Sequence, residues 1–277
     1  MRKLLATIAL AGALSGCIHQ SPVLLQSPTG AAGSTSEQVQ APNGLDDWAW
    51  YRTPATGGRN LTFAVRQPRG VPRQQTVLLV HSSSGLSRRD LSLADQYAAR
   101  GFTTVVGCWF YAPHATGISG CYNAPTFTGQ SWGAVNDLNA LVKAVEGLLP
   151  QPLSLVGLSR GAGVVALRAA QGHPEPVVLL SGLLTRPLHP MWGAHPLDDF
   201  PTRFTATIDA PAYVWSANDD VITPPSLQSD WFFLAMLVYG KDVRYSKYDF
   251  GGHDFVLDPA LGEHTVNVTS AWLEEVL

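Results

Sequence analysis

The sequence predicts an α/β protein, built on a mostly parallel, twisted sheet with helices on both faces. Apolar runs typical of strands alternate with segments of helical spacing, which is the pattern of parallel strands joined by crossover helices. The run Thr76–Val80 is continuously apolar or β-branched, as expected of a strand buried on both faces. A hydrophobic content of 45% is sufficient for one large core.

The first half of the predicted domain contains three strands and one helix. Leu61–Arg66 alternates between apolar and polar residues and is predicted as an early edge strand. Thr76–Val80 follows as a buried strand. Arg88–Arg100 has helical spacing and is closed by Gly101, a residue favoured after helix ends. Phe102–Val106 is the next strand.

The second half continues the same alternation. Ala134–Leu149 carries one apolar stripe of helical period and ends before Pro150. Leu153–Val156 is predicted as a strand and Gly161–Ala170 as a helix. The remaining predicted elements are the strands Val177–Leu180, Ala212–Ser216 and Val243–Tyr248 and the helices Leu227–Val238 and Thr265–Val276.

Two stretches, Tyr111–Ser131 and Leu183–Asp209, fit neither the strand period nor the helix period. Both follow the expected carboxyl ends of strands, where ligands bind in open α/β sheets, and we expect them to shape a substrate pocket. Several aromatic residues either line that pocket or pack in the core: Trp109, Phe110, Tyr111, Trp192, Phe200 and Trp231.

The amino terminus has the features of an export signal. Residues 1–16 contain a short basic start and an apolar run, Leu4–Leu14, that is too short for a mature membrane-spanning helix. The run ends in Leu-Ser-Gly-Cys, which resembles the lipobox of bacterial lipoproteins, so Cys17 is the expected lipidation site. The alternative is an ordinary secretory signal followed by an incidental cysteine.

Cleavage of the signal would leave a chain that consists of a tether and a folded domain. Residues 17–43 are rich in Ser, Pro, Gly, Gln and Ala and are predicted to form a flexible tether, and residues 44–277 are predicted to form the folded domain. The expected location is a bacterial membrane, reached through the lipid anchor only, with the domain in the periplasm or outside the cell.

The charge of the chain argues against a nucleic-acid partner. The formal net charge is −3, it becomes −5 without Arg2 and Lys3, and no run of basic residues is present. Three histidines in the irregular stretches, His114, His189 and His195, lack the spacing of metal ligands, so no metal site is predicted.

Two cysteines remain for the folded domain, Cys108 and Cys121. An exported chain folds in an oxidising compartment, so we predict that they form a disulfide. A loop of this size would stabilise the fold by about 3 kcal/mol in the chain-entropy model. The alternative is a pair of buried free thiols.

The most specific motif is the pentapeptide Gly157-Leu158-Ser159-Arg160-Gly161. It follows a predicted strand and precedes a predicted helix, which is the strand–turn–helix context of the nucleophile elbow in the α/β-hydrolase fold. The tight turn needs small neighbours, which Gly157 and Gly161 supply. Ser159 is therefore the candidate nucleophile.

A serine hydroxyl needs a base, and in this fold an acid and then a histidine follow the serine along the chain. His253 lies in a glycine-flanked loop after the last predicted strand. The acid is expected after the strand Ala212–Ser216, where Asp219 and Asp220 both stand. We favour Asp220, with Asp219 as the alternative, and the second aspartate is expected to cap the following turn.

The oxyanion of an acyl-transfer reaction needs two backbone donors. One is expected from Arg160, the residue after the nucleophile, and the other from Ser83, in the loop that follows Thr76–Val80. His81 opens that loop and is interpreted as a structural histidine that holds it in place rather than as the base.

Residues Thr76–Leu277 resemble the dienelactone hydrolase-like branch of the α/β-hydrolases. The resemblance is carried by Asn218–Pro224 and by the pattern Y-x-x-G-x-H-x-F, formed here by Tyr248, Gly251, His253 and Phe255. It implies hydrolysis of a small carboxylic ester through an acyl-enzyme, by Ser159, Asp220 and His253, without metal or cofactor.

The sequence departs from that family at two positions. Serine stands at 159, where dienelactone hydrolase has a cysteine nucleophile, and Ser82 stands where its oxyanion loop carries an acidic residue. A serine esterase or lipase-like enzyme is therefore favoured over a dienelactone hydrolase. The alternatives are a peptidase or other acyl hydrolase on the same triad, and a non-catalytic ligand-binding lipoprotein.

Overall fold

A nine-stranded sheet forms the centre of the protein in the computed structural model, which describes residues 36–42, 44–55, 60–109, 131–185 and 200–277. Five of its eight strand pairings are parallel, and helices connect the strands. The predicted α/β fold with a mostly parallel sheet is therefore confirmed.

The strands, numbered in chain order, are β1 (Glu37–Val39), β2 (Ala49–Pro54), β3 (Asn60–Arg66), β4 (Thr76–Val80), β5 (Thr103–Gly107), β6 (Leu153–Leu158), β7 (Val177–Leu180), β8 (Ala212–Ala217) and β9 (Val243–Tyr248). The helices are α1 (Arg88–Ala99), α2 (Ser131–Glu146), α3 (Arg160–Ala169), α4 (Ser229–Val238) and α5 (Pro259–Val276). Short 3₁₀ turns lie at Pro201–Thr207, Pro225–Leu227 and Phe255–Leu257.

The strand order is β1-β2-β3-β5-β4-β6-β7-β8-β9. The pairings that join β1, β2, β3 and β5 are antiparallel, and all the others are parallel. At the centre, Val80 of β4 is in register with Gly157 of β6. The loops that leave these two strands therefore start side by side at the carboxyl edge of the sheet, where this fold class places its ligands.

Two strands precede the first predicted one. β2 pairs with β3 along its whole length, and β1 pairs with β2, so β3 lies inside the sheet and not at its edge as predicted. β1 lies within residues 17–43, the segment predicted as a tether, so sheet structure begins earlier than expected. Three residues are too few to show a period, and β2 ends in Pro54, a residue that weakens a strand signal.

The last helix begins six residues before its predicted start at Thr265. The Asp258 carboxylate accepts hydrogen bonds from the amides of Ala260 and Leu261, both at 3.0 Å, and Pro259 occupies the first helical position. An aspartate N-cap followed by proline is a standard start signal, so the sequence does contain this boundary.

The core lies on both faces of the central strands. β4, β5, β6, β7 and β8 are buried along their whole length, which agrees with their continuous apolar sequences. β9, at the far edge, alternates between half-buried and exposed residues. Arg244 on β9 exposes its side chain, and a charged residue on an edge strand opposes pairing with a further strand.

One ion pair is buried beside this core. The guanidinium of Arg168, near the end of α3, donates bonds of 2.7 and 2.9 Å to the two carboxylate oxygens of Glu175. It also donates a 2.9 Å bond to Asn139 Oδ1 on α2. These contacts fix α3 to α2 and to the turn before β7.

Several predicted features of the chain lie outside the described residues. They are the signal segment 1–16, Cys17, Cys121, and the histidines His114, His189 and His195, and all of these stay predictions. Cys108, just after β5, is buried and disulfide-bonded, and because its partner is not among the described residues the pairing with Cys121 also stays a prediction. No helix within the described ranges has the length and apolar character needed to cross a membrane.

We predict that Glu175→Ala lowers the free energy of unfolding by about 3 kcal/mol, because it leaves the Arg168 charge buried without its carboxylate partner. Urea unfolding at neutral pH measures the loss. Asp209→Ala is the matched control, since Asp209 binds Lys241 at 2.7 Å with an 84% exposed side chain and should cost less than about 1 kcal/mol. Equal losses in the two variants would contradict the prediction.

Candidate active site

Ser159 lies in a strained turn between β6 and α3. Its backbone has φ 52° and ψ −115°, in the left-handed region that non-glycine residues rarely occupy. A Cβ on Gly157 would lie 2.5 Å from Ala162 Cα, and one on Gly161 would lie 2.3 Å from the Val80 carbonyl oxygen. Only glycine fits at these two positions, and so the strand and helix can approach closely enough to force the turn at Ser159.

The backbone around Ser159 is held on both sides. Its amide donates a 2.8 Å hydrogen bond to the Leu180 carbonyl at the end of β7, and its carbonyl accepts a 3.0 Å bond from the Leu183 amide. Ser159 is the residue before α3, so its side chain lies at the positive end of that helix. The turn therefore presents a hydroxyl at the amino-terminal end of α3.

His253 joins the serine to an aspartate. Its Nε2 atom lies 2.9 Å from Ser159 Oγ, and its Nδ1 atom lies 2.9 Å from Asp220 Oδ2. The side chain of Asp220 is fully buried and that of His253 is 14% exposed. The structure therefore brings together the three side chains that the sequence analysis selected, in the order Ser159, His253 and Asp220.

The Asp220 carboxylate has further donors that fix its orientation. Oδ1 accepts 2.8 Å bonds from the amides of Ile222 and Thr223, and Oδ2 accepts a 2.7 Å bond from the Thr223 hydroxyl. Burial raises the pKa of Asp220, but the hydrogen bond and charge of His253 and the bonds from Thr223 outweigh it, so the net pKa lies below its usual value. Asp220 is thus held as a carboxylate.

Thr223 is a part of the site that the sequence analysis missed. Besides its bond to Asp220, its Oγ1 atom lies 3.0 Å from the Ser181 carbonyl oxygen and 3.1 Å from His253 Nδ1. The sequence signal for Thr223 is its position three residues after Asp220, because an aspartate side chain often accepts hydrogen bonds from the turn that follows it. Thr223 ties the acid loop to the loop after β7, so it positions both Asp220 and His253.

Asp219 has a different role from the one expected. It does not cap the turn that follows, because Asp220 does so through its bonds to Ile222 and Thr223. Asp219 accepts hydrogen bonds from the amides of Gly251 and Gly252, at 3.2 and 2.7 Å. Its carboxylate therefore binds the backbone of the loop that carries His253.

The predicted oxyanion donors lie on two adjacent segments. Arg160 is the first residue of α3, and a Cβ on the next residue, Gly161, would lie 2.4 Å from the His81 carbonyl oxygen. In the loop after β4, the Ser84 amide donates to Ser82 Oγ and the Gly85 amide to the Ser82 carbonyl, both at 3.3 Å. These bonds shape the loop around Ser83, and the donor roles of Ser83 and Arg160 stay predictions.

A cleft of about 270 Å³ opens at Ser159 and His253. Its wall is formed by polar and apolar residues, namely Ser82, Ser84, Ser87, Arg89, Asp90, Leu158, Leu180, Ser181, Asp254, Val256 and Leu257. Burial raises the pKa of Asp90 to about 6, although hydrogen bonds from Ser87 oppose the shift. The cleft therefore combines serine hydroxyls and a buried carboxyl group with apolar side chains.

The aromatic residues that were candidates for the pocket do not lie together in the described part of the structure. Trp109 is buried in the core, and its indole N–H donates a 2.7 Å bond to the His81 carbonyl. Trp231 is exposed on α4, while Phe110, Tyr111 and Trp192 lie outside the described residues. In the part of the chain that the structure describes, no group of three side chains is arranged as metal ligands would be.

The described residues have the α/β-hydrolase fold, as comparison with solved structures shows. The candidate dienelactone hydrolase of Klebsiella pneumoniae subsp. pneumoniae superposes with a TM-score of 0.62 at 15% identity, over 81% of this chain and 98% of its own. The Pyrococcus furiosus esterase Pf2001 superposes with a TM-score of 0.63 at 15% identity, over 86% and 96%.

A third neighbour is a longer protein. The acylaminoacyl peptidase of Pyrococcus horikoshii superposes with a TM-score of 0.63 at 14% identity, over 88% of this chain but only 42% of the peptidase. No protein-family model and no curated protein matches the sequence. At these identities, the structural neighbours establish the fold.

His81 supports the loop that borders the cleft. The side chain is fully buried, and its Nδ1 atom donates a 2.6 Å bond to the Ser82 carbonyl. Burial lowers the pKa of His81 to about 4, and the bond to Ser82 opposes that shift without overcoming it. His81 is thus neutral in the folded protein over a pH range in which the unfolded chain binds a proton.

We predict that this histidine makes the fold sensitive to mild acid. Its contribution to stability is present above pH 6.5, its unfolded pKa, and is lost as the pH falls towards 4. Between pH 7 and pH 4.5 the free energy of unfolding should fall by about 2–3 kcal/mol more in the native chain than in His81→Asn, whose amide can still donate to Ser82.

Urea unfolding at the two pH values measures this difference. The raised pKa of Asp90 has the opposite effect, since its contribution is lost as the pH rises towards 6, but it acts in both proteins and cancels in the comparison. Equal pH dependence in the native chain and in His81→Asn would show that His81 does not titrate as the structure indicates.

Proposed function

We propose that the protein is a serine hydrolase that cleaves small carboxylic esters through an acyl-enzyme. The observation that supports the proposal is the His253 ring, which lies within 2.9 Å of both Ser159 Oγ and Asp220 Oδ2. A hydroxyl at a strained elbow, a base in contact with it, and a buried acid behind the base form the constellation used for acyl transfer.

In the first half of the proposed reaction, neutral His253 accepts the Ser159 proton at Nε2 while the serine oxygen attacks the ester carbonyl carbon. The Nδ1–H group remains hydrogen-bonded to Asp220, whose carboxylate stabilises the imidazolium that forms. The tetrahedral oxyanion is then stabilised by the backbone amides proposed for that task, those of Ser83 and Arg160. Collapse transfers the Nε2 proton to the leaving alcohol and leaves an acyl group on Ser159.

In the second half, His253 accepts a proton from water, which attacks the acyl carbonyl. A second oxyanion forms in the same position and collapses to release the acid and return the proton to Ser159. The pKa of Asp220 below its usual range keeps the acid ionised through both halves. Each protein group therefore ends the cycle in its starting protonation state.

The volume of the cleft favours a small substrate. A volume of about 270 Å³ lies just below the usual range for ligand pockets, about 300–1,000 Å³, and suits a short acyl group. The fold shared with the Pyrococcus furiosus esterase agrees with ester chemistry. The acylaminoacyl peptidase match, which spans less than half of that longer protein, supports a peptide substrate less well.

We predict that a fluorophosphonate labels Ser159 and that the protein hydrolyses nitrophenyl esters of short acyl chains faster than long ones. Ser159→Ala should abolish labelling and lower kcat/KM by about 10⁴-fold or more, because it removes the nucleophile. Arg89→Ala, whose exposed side chain lines the same cleft outside the triad, is the control for folding and should retain labelling.

Other outcomes decide between the remaining functions. Faster turnover of peptide anilides than of esters would replace the esterase by a peptidase on the same triad. Ester turnover that survives in Ser159→Ala would contradict the mechanism. A folded protein with no labelling and no turnover of any ester or anilide would contradict enzymatic activity and favour a ligand-binding role.

We predict that the two neighbouring aspartates differ sharply in their effect on kcat. Asp220→Asn should lower kcat by about 10⁴-fold, since the amide no longer stabilises the imidazolium. Asp219→Ala should lower kcat by about 10-fold, because it only loosens the backbone of the His253 loop. Steady-state ester kinetics measure both values.

The positioning role of Asp219 has its own control. Asp219→Asn keeps one side-chain oxygen to accept from the Gly252 amide, so it should recover part of the activity lost in Asp219→Ala. The pH dependence of kcat should be the same in both Asp219 variants and the native chain. A larger loss of kcat in Asp219→Asn than in Asp220→Asn would identify Asp219 as the triad acid.

A further inference from the structure

α4 is apolar on the face that it turns towards solvent. Its inner face packs Phe232 and Met236 in the core, where both side chains are fully buried. Its outer face exposes Trp231, Leu234 and Val238, whose side chains are 58%, 51% and 81% exposed. A helix of a globular protein normally has polar residues on its solvent side, and a helix that is apolar all round is normally buried.

The exposed residues form one continuous patch. Trp231, Leu234 and Val238 follow one another within α4 at intervals of three and four residues, which places them on one side of the helix, and the exposed Leu227 lies in the 3₁₀ turn just before it. Leu237 and Tyr239 extend the patch at the end of the helix and are 49% and 56% exposed. We call these six residues the α4 patch.

The area of the α4 patch is large for a monomer. From their exposed fractions, the six side chains present roughly 600 Å² of mainly apolar surface, at the upper limit for the largest patch on a typical monomer. Stable interfaces bury about 600–1,000 Å² on each partner, so the α4 patch alone reaches the lower end of the area that a stable dimer needs.

Two ion pairs within the chain lie next to the α4 patch. Asp230 binds Lys247 at 2.9 Å, and Lys241 binds Asp209 at 2.7 Å. Anionic membrane surfaces bind excess basic charge, and these pairs leave each cation neutralised. The surroundings of the patch therefore favour a protein surface over a lipid surface.

The α4 patch is also complementary to itself. Leu234 lies at its centre, with the large indole of Trp231 three residues before it and the aliphatic Leu237 and Val238 three and four residues after it. In an antiparallel helix pair about a twofold axis next to Leu234, the indole of each copy meets the aliphatic residues of the other. Closed twofold interfaces of this kind are the commonest in soluble oligomers.

We propose that the occupant of the α4 patch is a second copy of this chain, bound through an antiparallel α4–α4 contact about Leu234. Trp231 is the anchor of the contact, because indoles buried in an interface carry much of the binding energy. The proposal is independent of the proposed function, since neither copy contributes α4 side chains to the catalytic hydrogen bonds.

Co-capture of two differently tagged copies of the intact chain, together with light scattering, tests the proposal. We expect the native chain to be captured in pairs at micromolar concentration, and Leu234→Lys to reduce capture at least about 10-fold and to scatter as a monomer. Trp231→Glu is the second variant and should have the same effect. Both side chains are exposed, so thermal unfolding of the single chains should be little changed.

Val71→Glu is the matched control, because Val71 is 87% exposed on the loop before β4, far along the chain from α4. It should be captured as efficiently as the native chain. A monomeric native chain, or pairs that persist in both Leu234→Lys and Trp231→Glu, would overturn the proposal. Flotation of a monomeric native chain with phosphatidylcholine vesicles, lost in Leu234→Lys, would overturn it in favour of a lipid occupant.

Discussion

The close approach of α3 to the end of β4 is the constraint on which the site depends. Gly161 lies so near the Val80 and His81 carbonyls that a single methyl group would collide with both. This contact forces the chain to reverse within one residue after β6 and puts Ser159 at positive φ. The same contact brings the loop after β4, which carries the proposed donor Ser83, beside Ser159, so one packing requirement positions two parts of the candidate site.

Two adjacent aspartates in the loop after β8, Asp219 and Asp220, bind different parts of the His253 loop, which follows β9. Asp220 points into the protein, where it orients the imidazole of His253 and is itself oriented by Thr223. Asp219 points out and binds the backbone of the histidine loop. Asp220 thus orients the imidazole ring, and Asp219 holds the backbone of the loop that carries the ring.

The sequence was sufficient to predict the features that depend on local pattern. The parallel strands, the elbow at Ser159 and the histidine loop all follow from period, glycine spacing and chain order. What it could not predict depends on contacts between distant segments. The pairing of β2 with β3 and the bond of Asp219 to Gly252 join residues that no local period connects. Asp219 and Asp220 have the same chemistry, and only the direction of the loop distinguishes them.

The position of α4 links the surface of the protein to its reaction centre. Gln228, directly before the helix, accepts bonds of 2.9 and 2.8 Å from the amides of Leu184 and Thr185. These residues follow Leu183, whose amide donates to the Ser159 carbonyl. Gln228 therefore connects the start of α4, through the backbone of the segment Leu183–Thr185, to the turn that carries Ser159.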